Sequence, residues 1–197
     1  SISDYPNDGC RGNTVLYHGH LGPERGIQEL VESILILRNT IPDVSLILLG
    51  SFRLQKFQDD ILSTIEDNRL SDNIKWVAQV PHQDVWTYLN KAAVGVIPFR
   101  QNSLFMNVTP TKLFEYMASS CAVVASDVPP VRHFLDRAGE LVEPGSAQSL
   151  ADGIIKVIRD ESLFKRYISE GNKKITDHYN WTIAENKLLD IYKSLEI

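Results

Sequence analysis

The stretch Asn107–Ala118 reads N-V-T-P-T-K-L-F-E-Y-M-A, and what it folds into decides how the apolar runs on either side of it are related. Thr109 is of the type that caps helix N-termini. Pro110 suits the first helical position, where a missing N–H does no harm. A helix is therefore predicted to start here. At about 100° per residue, Leu113, Phe114, Met117 and Ala118 fall on one side, and Lys112, Glu115, Tyr116 and Ser119 on the other. The first side is the expected core face, and the second is free for chemistry. The amides of Thr111, Lys112 and Leu113 lie in the first turn without intrahelical acceptors, where the helix dipole adds roughly half a positive charge, so this end is suited to a phosphate. Lys112 adds a full charge, and Glu115 offers a carboxylate that can accept hydrogen bonds from a ribose diol. The same pattern is also that of a plain amphipathic helix with a solvated Lys112–Glu115 pair at i,i+3.

Outward from that helix lie Val94–Ile97, broken by Pro98, and Ala122–Ala125, followed by Ser126-Asp127 and Pro129-Pro130. Strand, helix and strand in that order make a βαβ unit with parallel strands. The alternation continues in both directions. Thr14–His18, Ser45–Leu49, Ile74–Ala78 and Gly139–Val142 read as further strands. Between and beyond them, helices are predicted over Glu24–Asn39, Arg53–Asn68, His82–Lys91, Ala147–Arg159, Leu163–His178 and Thr182–Leu195. Val131–Leu135 is at most a short helix. The fold class is α/β: a doubly wound, Rossmann-like, six-stranded parallel sheet with helices on both faces. In such sheets ligands sit at the carboxyl ends of the strands near a topological switch point. The loop Gly19–Gly26 and the helix after Pro110 both start at such ends and can face one site.

The chain has 197 residues, 43% hydrophobic and 23% charged, with a formal net charge of −5. That suits one large soluble domain and argues against a broad nucleic-acid surface. No apolar run approaches the roughly 20 residues that span a bilayer, and no signal-peptide pattern is visible, so the chain reads as cytoplasmic. Cys10 and Cys121 have no metal-ligand spacing and read as free thiols. The start at Ser1, without an initiator methionine, reads as entry partway through a longer protein. There is no D-x-D, H-E-x-x-H or G-x-S-x-G, and His18 and His20 have no partner at zinc spacing. Trp76, Trp86 and Trp181 are expected to pack.

In Gly19–Gly26, G-H-L-G-P-E-R-G, the glycines let backbone approach a ligand, and His20 and Arg25 flank the turn. Its glycine spacing matches neither common phosphate fingerprint. Arg25 can hold a phosphate in bidentate fashion, and a turn with a surface arginine is the other reading.

Taken together these segments resemble the carboxy-terminal, donor-binding half of a GT-B glycosyltransferase of the retaining family called glycosyl transferases group 1. The resemblance rests on Gly19–Gly26 against a family pattern of roughly G-R-L-x-P-E-K-G, on V-S-L-I-L-L-G at Val44–Gly50, and on Val80-Pro81-His82 after the third strand. It continues in P-x-K-x-x-E-Y-M-A at Pro110–Ala118, V-V-A-S-D-V at Val123–Val128 and A-G-x-L-V-E-P-G at Ala138–Gly145.

The resemblance implies retaining, metal-independent transfer of a hexose from a nucleoside-diphosphate sugar, in polysaccharide biosynthesis, with no cofactor beyond that donor. Arg25 and Lys112 would act catalytically on the diphosphate. Glu115 would hold the ribose and Val80 the nucleobase loop. Gly19, His20, Asn107, Val108, Thr109 and Thr111 would line the sugar and phosphates. It also implies an acceptor-binding amino-terminal domain absent here, through which alone any peripheral membrane contact would be made. Residues 1–13 would be a linker remnant, 14–180 the nucleotide-sugar domain, and 181–197 a helix packing toward the missing half. Departures are His20 for a usual arginine, Asn107 for the first of two glutamates, and Pro129-Pro130 for a glycine pair. A non-catalytic nucleotide-binding module and a sugar-nucleotide epimerase of the same architecture are the alternatives.

Overall fold

A computed structural model of the chain describes residues 12–101 and 107–195. Six strands, β1 (Thr14–His18), β2 (Ser45–Leu49), β3 (Ile74–Val77), β4 (Val94–Ile97), β5 (Ala122–Ser126) and β6 (Gly139–Val142), form one sheet in the order β3-β2-β1-β4-β5-β6. Every pairing is parallel. Consecutive strands step outward to one edge as far as β3, and then the chain returns to the middle to lay β4 beside β1. The switch point therefore lies between β1 and β4.

Strand alternation divides the core in two. Val15, Tyr17, Leu46, Leu48, Val94, Val96, Ala122 and Val124 face α1 (Ile27–Leu37), α2 (Gln55–Asp67) and α6 (Ala147–Arg159). Leu16, Leu49, Ile97, Val123 and Ala125 face α3 (His82–Leu89), α4 (Thr111–Ala118) and α5 (Pro129–Leu135). Because both faces are covered, the four inner strands are mainly apolar runs, while the edge strands β3 and β6 carry Lys75 and Glu140. Ser146 caps α6 by accepting from the Ser149 amide at 3.1 Å, and Asp160 caps α7 (Glu161–Asp177) by accepting from Leu163 at 2.9 Å. The last helix, α8 (Trp181–Leu195), has no buried residue.

Several expectations need correction. The helix expected from Glu24 is broken: Pro23–Arg25 is a single 3-10 turn, and Gly26 adopts φ 70° before α1 begins. A Cβ at Gly26 would stand 1.7 Å from the Pro98 carbonyl oxygen, so this turn needs glycine both for its backbone angle and for the approach of β4. Thr109 does not cap α4. Pro110, extended at ψ 119°, is the cap residue and has no side-chain bond to offer, while its carbonyl accepts from Leu113 at 3.0 Å. That leaves the Thr111 and Lys112 amides, and not the Leu113 amide, without a backbone acceptor among the described residues. The side of α4 expected to face outward is largely inward, with Lys112, Tyr116 and Ser119 all buried. Trp181, expected to pack, is 73% exposed. Cys10 lies outside the described residues, and Cys121 is a buried thiol that donates to the Leu89 carbonyl at 3.2 Å.

Candidate functional site

Where β1, β2 and β3 end, their loops enclose a cleft of about 250 Å³ lined by Gly19, His20, Gly50, Gln79, Val80 and His82. Its inner wall is the chain around His18 and, behind that, α4. The Lys112 ammonium donates to the His18 carbonyl at 2.5 Å and lies 3.9 Å above the Tyr17 ring. Gly19 has φ 116°, and a Cβ there would come within 3.0 Å of Lys112 Nζ, so the glycine opens a path from the ammonium to the cleft. Burial, with the nearby Arg25 charge second, pushes the Lys112 ammonium down to a pKa of about 7, while Glu115 pulls the other way. No carboxylate reaches Lys112 at salt-bridge distance among the described residues.

Glu115 stands between two histidines. His82 Nε2 shares a hydrogen bond with Oε1 at 2.9 Å in the tautomer protonated there, and His18 Nε2 lies 3.2 Å from Oε2. The second contact is too poorly aligned to satisfy the buried His18 nitrogen. Burial, then the Lys112 and His82 charges, takes the His18 pKa down to about 3. His18 is thus neutral at physiological pH, and its contact with Glu115 is not an ion pair.

Arg25 is stacked over the Phe99 ring at 5.6 Å, with the Glu24 carboxylate 3.5 Å from its Nε. His20 is exposed, its pKa lowered first by partial desolvation and then by Arg53, Arg25 and Lys112. The sequence-predicted residues Gly19, His20, Val80, Lys112 and Glu115 come together around one cleft, and Arg25 is near enough for its charge to depress Lys112. Asn107 and Val108 are exposed and Thr109 is half-buried, and no described contact ties them to the cleft lining. Thr111 instead borders a second, shallower groove of about 430 Å³ with Phe114, Tyr179 and Trp181. His18 and His82 are the site residues that sequence reasoning passed over. Their signal was position alone, since His18 ends β1 and His82 opens α3 just after β3, both at the carboxyl edge of the sheet.

A doubly wound parallel sheet with a cleft at the carboxyl ends of its strands has the architecture in which ligands bind at that edge. The match that refines this is to the family model described as glycosyl transferases group 1, over residues 10–174, and the chain belongs to that family of transferases. The phosphatidyl-myo-inositol mannosyltransferase of Mycobacterium tuberculosis is 28% identical over 98% of this chain and 50% of its own length. The capsular polysaccharide biosynthesis glycosyltransferase CapM of Staphylococcus aureus is 25% identical over 90% of this chain and 45% of its own. Among solved structures, Anabaena HepE in complex with UDP and glucose superposes with a TM-score of 0.82 at 17% identity, covering 93% of this chain and 49% of that one. The C-terminal domain of LpcC from Francisella tularensis gives 0.75 at 22% identity, covering 85% of this chain and 86% of that one. These likenesses define the fold as the carboxy-terminal-like half of a GT-B glycosyltransferase. The chain spans about half the length of the curated relatives it matches. No helix among the described residues is long and apolar enough to cross a membrane.

Proposed function

We propose that this chain binds a nucleoside-diphosphate sugar in the cleft beside Gly19 and is the donor-binding half of a retaining hexosyltransferase. The observation that carries the reading is Lys112, a buried ammonium with a carbonyl and an aromatic ring for company and no carboxylate partner among the described residues. Burying an uncompensated charge is costly, and a bound anion offsets that cost. A diphosphate lying against Gly19 would meet Lys112 from one side and Arg25 from another, with the free amides of Thr111 and Lys112 at the start of α4. Glu115, oriented by His82, would accept from the ribose hydroxyls, and the loop at Val80 would cover the base. HepE, of the same fold, was crystallised with UDP and glucose.

As the bond from the anomeric carbon to the diphosphate oxygen lengthens, negative charge grows on the leaving group. Arg25 and Lys112 then bind the transition state more strongly than the ground state. With two cations in place the chemistry calls for no metal ion, and no cofactor is proposed. Asn107, Val108, Thr109 and Thr111 would stand beside the sugar, and an amino-terminal half would bring the acceptor. The present chain alone would bind donor and transfer nothing.

Titration calorimetry of the chain with UDP, GDP and ADP tests the reading. We expect one of them to bind, and no binding of any at millimolar concentration would sink the donor site. In the longer enzyme, loss of a preorganised donor to the developing charge typically costs about 2.7–4 kcal/mol of barrier, so Arg25→Ala should slow turnover roughly a hundredfold or more. A loss below fivefold contradicts the role given to Arg25. Binding without any turnover by the longer protein would instead make this a non-catalytic module, the reading that Asn107 and His20 favour.

A further inference from the structure

We infer that Glu29 and Arg100 are a positioning pair that sets the Arg25 guanidinium where it lies over Phe99, and this rests on the reading of Arg25 as a diphosphate ligand. Three successive residues leaving β4 meet the turn that carries Arg25 and the helix that follows it. The Pro98 carbonyl packs against Gly26 so closely that no Cβ fits between them. Phe99, 1% exposed, lays its ring under Arg25 with 5.6 Å from Cζ to the centroid. Arg100 Nε donates to Glu29 Oε1 at 2.5 Å. Glu29 lies in the first turn of α1, immediately beyond the Arg25–Gly26 turn. The ion pair therefore ties the far side of this joint: α1 is held to the residue next to Phe99, and Phe99 is held to the residue next to Gly26.

Glu29 is a buried carboxylate, and its Oε2 has no hydrogen-bond partner among the described residues. An acidic residue in a first turn is favourable to the helix dipole, but an exposed one would serve that purpose without desolvation. Stability alone is thus a poor account of a half-satisfied buried acid. What the pair does supply is register. Without it, the segment after Pro98 and the start of α1 can slide past each other, and the ring under Arg25 moves with them. A guanidinium that must meet two phosphate oxygens along fixed directions is sensitive to that shift, whereas a point charge is not.

The test is a double-mutant cycle on the whole chain, read by calorimetry with whichever of UDP, GDP or ADP the wild type binds. Arg100→Met keeps the length of the side chain and removes the charge, and should weaken binding roughly tenfold, since misplacement of a clamp by an ångström can cost as much as a hundredfold. Arg100→Lys keeps the pair and should stay within about threefold of wild type. In an Arg25→Ala background, Arg100→Met should cost less than about twofold more, because the residue it positions is already gone. A merely structural role predicts the opposite: the same loss in both backgrounds, following the fall in melting temperature. Glu29→Gln should reproduce Arg100→Met; if it fails to fold, the half-exposed Arg100 variants carry the cycle. If no nucleotide binds the wild type, the donor-site reading fails and this inference with it. If nucleotide binds, Arg25→Ala weakens it and Arg100→Met does not, the inference alone is overturned.

Discussion

Lys112 sits where a protonated lysine is least comfortable, buried and near a second cation, and its titration reports on that strain. Its pKa falls from 10.5 to about 7 on folding, so between those values the unfolded chain holds a proton on this group that the folded chain has released. Stability contributed through Lys112 therefore rises as pH climbs above about 7 and levels off above the unfolded value. Relative to Lys112→Met, the wild type should gain up to about 1 kcal/mol per pH unit between pH 7.5 and 9.5, measured by urea denaturation at each pH. A constant difference between the two proteins across that range would mean that the ammonium stays protonated in the fold. The same group should make diphosphate binding weaken over the same interval, since the anion wants the charged form and high pH withholds it. Glu115, one turn further along α4, is flanked by the imidazoles of His18 and His82.

At the scale of the element, α4 wedges the sheet open at its switch point. β1 and β4 pair only through Val15–Val94 and Leu16–Gly95, and the Tyr116 phenol occupies the gap. It accepts from the His18 amide at 3.3 Å and lies 3.2 Å from the Leu16 carbonyl and 3.4 Å from that of Val96. Gly95 makes room, since a Cβ there would stand 2.3 Å from the ring. Tyr116→Phe leaves the buried His18 amide without that acceptor and should cost about 1–3 kcal/mol, seen as a lower denaturation midpoint with an unchanged slope. An unchanged midpoint would show that the strands close without the hydroxyl. This wedge also explains what was legible in the sequence and what was not. The strands and their parallel arrangement could be read because fully buried strands are unbroken apolar runs, with α-helical periodicity between them. The inward turn of Lys112 and Tyr116 could not, because helical periodicity ranks side chains by polarity. Lysine and tyrosine bury an apolar body while sending one polar atom to a specific partner. The partner here is backbone of β1, about a hundred residues earlier, visible only when the sheet is assembled. His82 against Glu115 is hidden for the same reason, whereas the Gly19–Gly26 loop was found because a strand end marks itself with glycine, and Val80 was named only through the family resemblance.

Over the whole molecule, the feature that does not close on itself is α8. Trp181, Leu188, Tyr192 and Leu195 recur at helical spacing and are 46–73% exposed, and Leu189 and Ile191 widen the patch. The helix is capped where it begins, Asn180 accepting from the Ile183 amide at 3.1 Å, but it has no buried residue along its length. A helix of 15 residues with its apolar side in water draws little stability from propensity alone. Such a surface belongs against another, and since the chain spans only about half the length of its curated relatives, we propose that a second domain, corresponding to the other half of those relatives, would cover it. Amide hydrogen exchange distinguishes the cases. In this chain alone the amides of α8 should exchange at least tenfold faster than those of the six strands, reflecting local fraying well below the global unfolding energy. In the longer protein their protection should rise toward that of α7, while exchange in β1, β2 and β5 stays as it was. Replacing Leu188 and Tyr192 with serine should abolish the gain without altering nucleotide binding by the chain itself, because neither residue touches the cleft. If α8 in the isolated chain is already as protected as β1, its apolar face is satisfied without a partner, and the place of the second half must be sought elsewhere.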